Sequence, residues 1–368
     1  MMKDRAQKAS ALRYIVAKRW FPQLEVDVLP KISTTKNKLI TDIDVLGSVP
    51  DEFLGYRTFL FDCKSGKNES PINRTLWLRG LMDRVHATRG LLILSDKKDI
   101  ERDHRISAAE LDISIVKEGE FGILANATDG YLQIGVSSVA ELDNWEIFFS
   151  IPEKFPKLEE MVTFSRSAFW MCESPAEACR KTIAILRKAH PELDPAKGLH
   201  TALFGDFVAL FLHALARLSL QIFMSYLQPN NRDDLAEALL LLLYGGRDAY
   251  ELANQLRKLV PREKQNGGEE KELTPPEWDK FVQLTRHILE APRQALFAPL
   301  LAREVAWTYL NNGKDSIEFA SIMAIEQPQT GKFCLLAAEY LGKATKVPDE
   351  FAEIYSKQFL EIQSQKSD

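Results

Sequence analysis

Four charged side chains sit inside two otherwise apolar runs. Asp42 and Asp44 lie in "LITDIDVLG" (39–47), and Asp62 and Lys64 lie in "RTFLFDCK" (57–64). A charge in a core strand costs several kcal/mol unless it is paired or bound to an ion. Two carboxylates brought together repel, so one must stay protonated unless a cation sits between them. Oxygen ligands of this kind suit a hard ion such as Mg²⁺ or Mn²⁺, which keeps several waters and leaves room for a phosphate. A lysine beside a metal-bound water can orient it or help deprotonate it, while the metal lowers that water's pKa and neutralises phosphate charge.

For this to work the two runs must pair. "LITDIDVLG" alternates in period two, and "SVPDEFLGY" reads as a turn punctuated by Pro50 and Gly55. "RTFLFDCK" reads as a second strand ended by "SGKNES", giving a hairpin with a long loop. Residues i and i+2 share a face, so Asp42 and Asp44 point one way, as do Asp62 and Lys64. Pairing then gathers Asp44, Asp62 and Lys64 at one end of the sheet. Upstream, 3–20 is spaced as a helix through Ala6, Ala9, Leu12, Ile15 and Val16, and "LEVDVLPKIS" (24–33) reads as a strand followed by a turn in "STTKNK". Downstream, 72–90 reads as an amphipathic helix stopped by Gly90, and "LLILS" (91–95) as a buried strand. "SAAELDISIV" (107–116) reads as a short helix, with Ser107 as N-cap and Glu110 three residues on, and then a strand. The expectation is an α/β N-terminal domain, a mixed sheet flanked by helices.

The stretch "TDIDVLG…FDCKSGK", in this order of elements, resembles the core motif of the PD-(D/E)XK nuclease superfamily, the restriction-endonuclease-like fold. The resemblance covers about residues 1–118. It implies Asp44 as first metal ligand, Asp62 as second, the Cys63 backbone carbonyl as a further ligand and Lys64 as the catalytic lysine. Asp42 is the fallback for the first ligand. It also implies Mg²⁺ or Mn²⁺ as cofactor and nucleic acid, DNA foremost, as substrate. Many members carry a metal-linked Glu in the first helix. That helix here has Asp4 and Gln7 but no Glu, and Glu25 lies in the strand after it. A blander reading of the same residues makes Asp42 and Asp44 strand-end groups and Asp62–Lys64 a surface ion pair of little energetic weight.

Other polar groups are less directive. Arg74, Arg79 and Arg84, with Trp77, lie on the helix after the motif and suit phosphate contact or plain solvation. Lys67 reads as a phosphate-reaching or ordinary loop lysine. The six histidines show no metal-ligand spacing, and His213 on an apolar helix reads as a core residue. There is no GxSxG and no P-loop. Four scattered cysteines make neither a disulfide framework nor a zinc site, and a reducing cytoplasm is the simplest expectation. The start "MMKDRAQKAS" lacks the apolar stretch of a signal peptide.

The net charge of −5 is uneven: residues 1–118 hold 21 Lys+Arg against 17 Asp+Glu, so the remainder is acidic. A mildly basic front half is compatible with a phosphate-bearing partner. Residues 119–170 form a connecting region with strand-like pieces, "YLQIGVSSV" and "WEIFFSI". Residues 171–368 read as a helical accessory domain. Ser174/Glu177 and Thr274/Glu277 have capping-box spacing, 261–276 reads as a loop and the tail "QSQKSD" as frayed. The segment 207–227 is long enough to span a bilayer, but His213 and Arg217 favour a buried bundle helix over a membrane partner. Two functions follow: a Mg²⁺-dependent endonuclease in defence against foreign DNA or in DNA repair, with a helical part that senses, recruits or oligomerises, or an inert nuclease-like scaffold that docks a protein through its acidic helical half.

Overall fold

The computed structural model describes residues 2–30, 39–51, 55–66, 70–128, 134–229, 231–259, 273–311 and 316–364. A first helix, α1 (Arg5–Ala17), leads into β1 (Phe21–Val28), β2 (Thr41–Asp51) and β3 (Gly55–Lys64). Then come α2 (Pro71–Val85), β4 (Arg89–Leu94), α3 (Arg102–Glu110) and β5 (Ile113–Lys117). The five strands lie in sequence order; β1, β2 and β3 are antiparallel, and β3, β4 and β5 are parallel. The α/β mixed sheet with flanking helices is therefore present. The expected "SVPDEFLGY" turn is shorter than read, because Ser48–Asp51 continue β2 and Gly55–Tyr56 open β3. Pro50 pairs with Tyr56 beyond the last β1 partner of β2, at Ser48, where a missing N–H is tolerated. The expected "STTKNK" turn and Lys67 lie outside the described residues.

Helix α1 buries Leu12, Ile15 and Val16 of its expected face, but in its first turn Ala6 is exposed and Gln7 and Lys8 are buried. Helix α2 starts on Ser70, whose Oγ accepts from Asn73 N–H, and stops at His86 in the left-handed region (φ 56°). Gly90, read as the helix stop, belongs to β4. A Cβ there would lie 2.8 Å from Met82 Sδ and 3.0 Å from Ile113 Cγ1, so glycine lets α2 sit close on the sheet. Ser107 lies inside α3, not at its start, because the helix begins five residues earlier.

Beyond β5 the chain is mostly helical: α4 (Glu118–Ala127), α5 (Leu142–Phe149), α6 (Ile151–Lys154), α7 (Glu159–Thr163), a π-turn (Phe164–Ala168), α8 (Pro175–Ala189), α9 (Gly198–Tyr226), α10 (Arg232–Tyr244) and α11 (Arg247–Leu259). It ends in α12 (Trp278–Glu290), α13 (Pro292–Ala295), α14 (Ala298–Trp307), α15 (Glu318–Glu326), α16 (Thr330–Thr345) and α17 (Glu350–Ser364). "WEIFFSI" is helical, not a strand. Leu142, Trp145 and Phe148 recur every third residue and are buried, so packing against Trp307 overrides aromatic strand preference. Of "YLQIGVSSV", the described part is a loop whose Ser138 and Val139 N–H groups donate to the buried Glu304 carboxylate. Ser174 caps α8 as read. Thr274 does not cap α12, which follows Glu277 in the left-handed region. The loop read at 261–276 and the tail lie largely outside the described residues.

One hydrophobic cluster runs from Ala11 through the α1 face of the sheet to Ile362 in α17. Helix α9 is its axis, with 72% of its most apolar window buried, so its apolar length serves protein packing. His213 is buried, hydrogen-bonded to Ser48 Oγ at 2.7 Å and stacked on Tyr56. Fully buried Arg303 ties α14 to α9 and β1: its Nε donates to Asp206 (2.7 Å), and its Nη atoms donate to Pro22 O and Gln23 Oε1.

Candidate metal centre at the end of the β2–β3 hairpin

The ladder between β1 and β2 pairs Leu24 with Val45 and Val26 with Ile43, and passes over Glu25 and Asp44. Residues two apart on a strand ordinarily share a face. Here Leu24 and Val45 pack with Ala11, Leu12 and Ile15 of α1, whereas Val26 and Ile43 pack with Leu78 and Met82 of α2. The switch coincides with Glu25, whose φ is 54°. A left-handed non-glycine costs about 1 kcal/mol and marks a local constraint. The distortion leaves Asp44 where groups from both flanking helices can reach it and its neighbour on β3.

Asp44 and Asp62 follow immediately after the Val45–Phe61 pair. Lys64 Nζ lies 3.0 Å from Asp44 Oδ2 and 3.4 Å from Asp62 Oδ1, so one ammonium spans both carboxylates. Cys63 contributes its backbone N–H, 2.8 Å from Asp44 Oδ2, while its thiol is buried in the core. The other oxygen of Asp44 faces α1, where Lys8 Nζ lies 2.9 Å away and also holds Glu25. Arg74, on the first turn of α2, grips Asp62 with two nitrogens, Nη2 at 2.6 Å from Oδ1 and Nε on Oδ2, and stacks on Trp77 at 3.6 Å. Asp42 joins Glu25 and Asp44: ligand oxygens from the three lie within 4.8 Å of one another and could hold a metal ion. An all-oxygen set fits a hard divalent cation.

The chain itself thus answers the charges in the strands. Burial pushes the Asp44 carboxyl up, but Lys64, Lys8 and the Cys63 N–H outweigh it and hold its pKa below the ordinary aspartate value. For Asp62 burial prevails over Arg74 and Lys64, and its pKa is raised. Burial works against the Lys64 ammonium, yet Asp62 and Asp44 raise its pKa above the ordinary lysine value. Lys64 therefore keeps its proton at neutral pH and acts as a hydrogen-bond-donating cation. Burial likewise opposes the charge on Lys8, which Asp44 and Glu25 restore and raise.

Asp44, Asp62, Lys64 and the Cys63 backbone are brought together, with Asp42 beside Asp44 and Glu25. Sequence reasoning missed Lys8 and gave Glu25 and Arg74 no place beside the acids. Lys8 stands at the head of the stripe Lys8–Leu12–Ile15, and a lysine at i−4 of an apolar stripe was the available signal. Arg79 pairs with Asp83 and reaches Leu111 O, and Arg84 donates to Leu29 O. Comparison with protein-family models, curated proteins and solved structures gives no match for this chain, so the reading of the centre rests on its own geometry.

Proposed function

We propose that the chain is a metal-dependent phosphodiesterase, an endonuclease acting on DNA, whose N-terminal part has the restriction-endonuclease-like fold. One observation carries this reading: Lys64 Nζ bridges Asp44 and Asp62 at the mouth of the hairpin. The order helix, three antiparallel strands, helix, parallel strand supports it. Asp44, Asp62 and the Cys63 carbonyl would hold Mg²⁺ or Mn²⁺, which supplies Lewis-acid neutralisation of phosphate charge and a lowered pKa for its water. Lys64, kept cationic by the acids, orients a hydroxyl or phosphate oxygen by hydrogen bonding. The Arg74 fork matches a phosphate as well as it matches Asp62 and orients the substrate backbone. The helical region serves as a recruiting or self-associating module. Cys63, Cys172, Cys179 and Cys334 are free thiols, which suits a cytoplasmic role in defence or repair of DNA.

A second reading is favoured by a specific observation. Lys8, Lys64 and Arg74 already pair the carboxylates, as in an inert nuclease-like scaffold that binds a protein through its helical part. Plasmid incubated with the protein, with and without Mg²⁺ or Mn²⁺, beside Asp62→Ala and Lys64→Ala, separates the two. Metal-dependent cutting that both variants lose supports the enzyme. Absence of cutting under every metal condition overturns it in favour of the scaffold.

A further inference from the structure

We infer that Lys8 is the resident second cation of this centre: its ammonium takes the place of a second divalent ion, so the chain binds one ion where two-ion phosphodiesterases bind two. The inference rests on the proposed phosphodiesterase reading and deepens it.

Asp44 has two sides. Its Oδ2 faces Lys64, the Cys63 N–H and, across Lys64, Asp62. Its Oδ1 faces Lys8, which also holds Glu25. Glu25 and Asp44, together with Asp42, have the spacing to hold an ion of their own. Two-ion sites place their ions either side of shared carboxylates, and Asp44 is placed to be shared. On the Asp62 side the cations are Lys64 and Arg74, whose side chains keep partial access to water and can exchange partners. On the Glu25 side the cation is fixed. Lys8 is 2% exposed and is the one lysine in the buried set among the described residues. It sits on the inner face of α1, among Gln7, Ala11 and Leu12.

A buried ammonium is stable only while its carboxylates are ionised and close. The same pair of carboxylates would repel without it. Lys8 therefore does electrostatically what an ion would do there: it compensates Glu25 and Asp44 and holds Asp44 aimed toward Lys64. It offers no open coordination position and cannot carry a water. It is a positioning residue acting through Asp44.

The test is Mn²⁺ titration by calorimetry on the full chain without nucleic acid, with thermal melts to confirm folding. The wild type is expected to bind one ion, lost in Asp62→Asn. Lys8→Gln is expected to bind a second ion, which Glu25→Gln in that background removes. Lys8→Arg, which keeps the charge, is expected to return to one. Where Lys8→Gln fails to fold, Glu25→Gln alone decides: the single ion is expected to stay within about twofold of its wild-type affinity, because Glu25 serves Lys8. Two ions in the wild type, a folded Lys8→Gln that stays at one, or loss of the single ion in Glu25→Gln overturns the inference while leaving the phosphodiesterase reading intact. No ion in the wild type overturns both.

Discussion

Lys64 Nζ lies 3.0 Å from Asp44 Oδ2, across the β2–β3 hairpin, and 3.4 Å from Asp62 on its own strand. This relationship gathers three of the four strand charges, Asp44, Asp62 and Lys64, into one compensated centre. Asp44 answers to α1 through Lys8, Asp62 answers to α2 through Arg74, and Lys64 joins them. The centre therefore depends on how both helices sit on the sheet.

If Asp62 ligates a metal ion as proposed, Arg74 must compete with that ion for its carboxylate. In Arg74→Ala the apparent Mn²⁺ affinity at pH 8 should rise about tenfold, since a charge-assisted hydrogen bond is worth roughly 1.5 kcal/mol. The onset of binding should move to higher pH, because burial raises the Asp62 carboxyl and its guanidinium partner has been opposing that. Calorimetric titration across pH checks both shifts. An unchanged affinity and onset contradict the competition.

Asp44 and Asp62 should leave opposite marks on stability against pH. The folded pKa of Asp44 is lowered, so its stabilising contribution is present above the ordinary aspartate value and lost as pH falls through the lowered one. That of Asp62 is raised, so its contribution is full below the ordinary value and lost as pH rises through the raised one. Denaturant melts should show Asp44→Asn costing more near pH 7 than near pH 2. A cost independent of pH contradicts the pairing with Lys8 and Lys64.

The sequence displays the motif strands plainly, because acids alternate with apolar residues in 41–45 and an apolar run closes on Asp62 and Lys64 in 57–64. What it hides is the partner of each acid. Lys8 is 17 residues from Glu25 and 36 from Asp44, the two acids it serves, and a lysine on a helix ordinarily faces water. Gly90 looks like a helix stop and instead makes room for Met82. The aromatic run 145–151 fits strand or helix, and only Trp307 and the helical layer decide it. The kink at Glu25 has no local signature, since glutamate rarely adopts positive φ.

Gly90→Ala tests how tightly α2 must sit. The added methyl would meet Met82 Sδ at 2.8 Å and Leu78 Cδ2 at 3.1 Å. Overpacking of this kind costs about 1–3 kcal/mol. Chemical denaturation should show that loss, and Mn²⁺ affinity should change with it because Arg74 rides on α2. A neutral substitution contradicts the packing.

Arg303 couples the helical region to the sheet through Asp206, Pro22 and Gln23. Arg303→Ala leaves Asp206 buried without its cation, held only by the Ser165 hydroxyl, and should cost about 3–5 kcal/mol, whereas Arg303→Met should cost less. If denaturant unfolding gives less than about 1 kcal/mol for Arg303→Ala, the buried pair does not join the two parts.

The most direct test of the proposed phosphodiesterase centre is anomalous diffraction from crystals soaked in Mn²⁺. The expected result is a peak liganded by Asp44 and Asp62, with Arg74 displaced or sharing Asp62, and Lys8 still on Glu25. Crystals that take up Mn²⁺ nowhere near these carboxylates, with Lys64 and Arg74 unmoved, would contradict it.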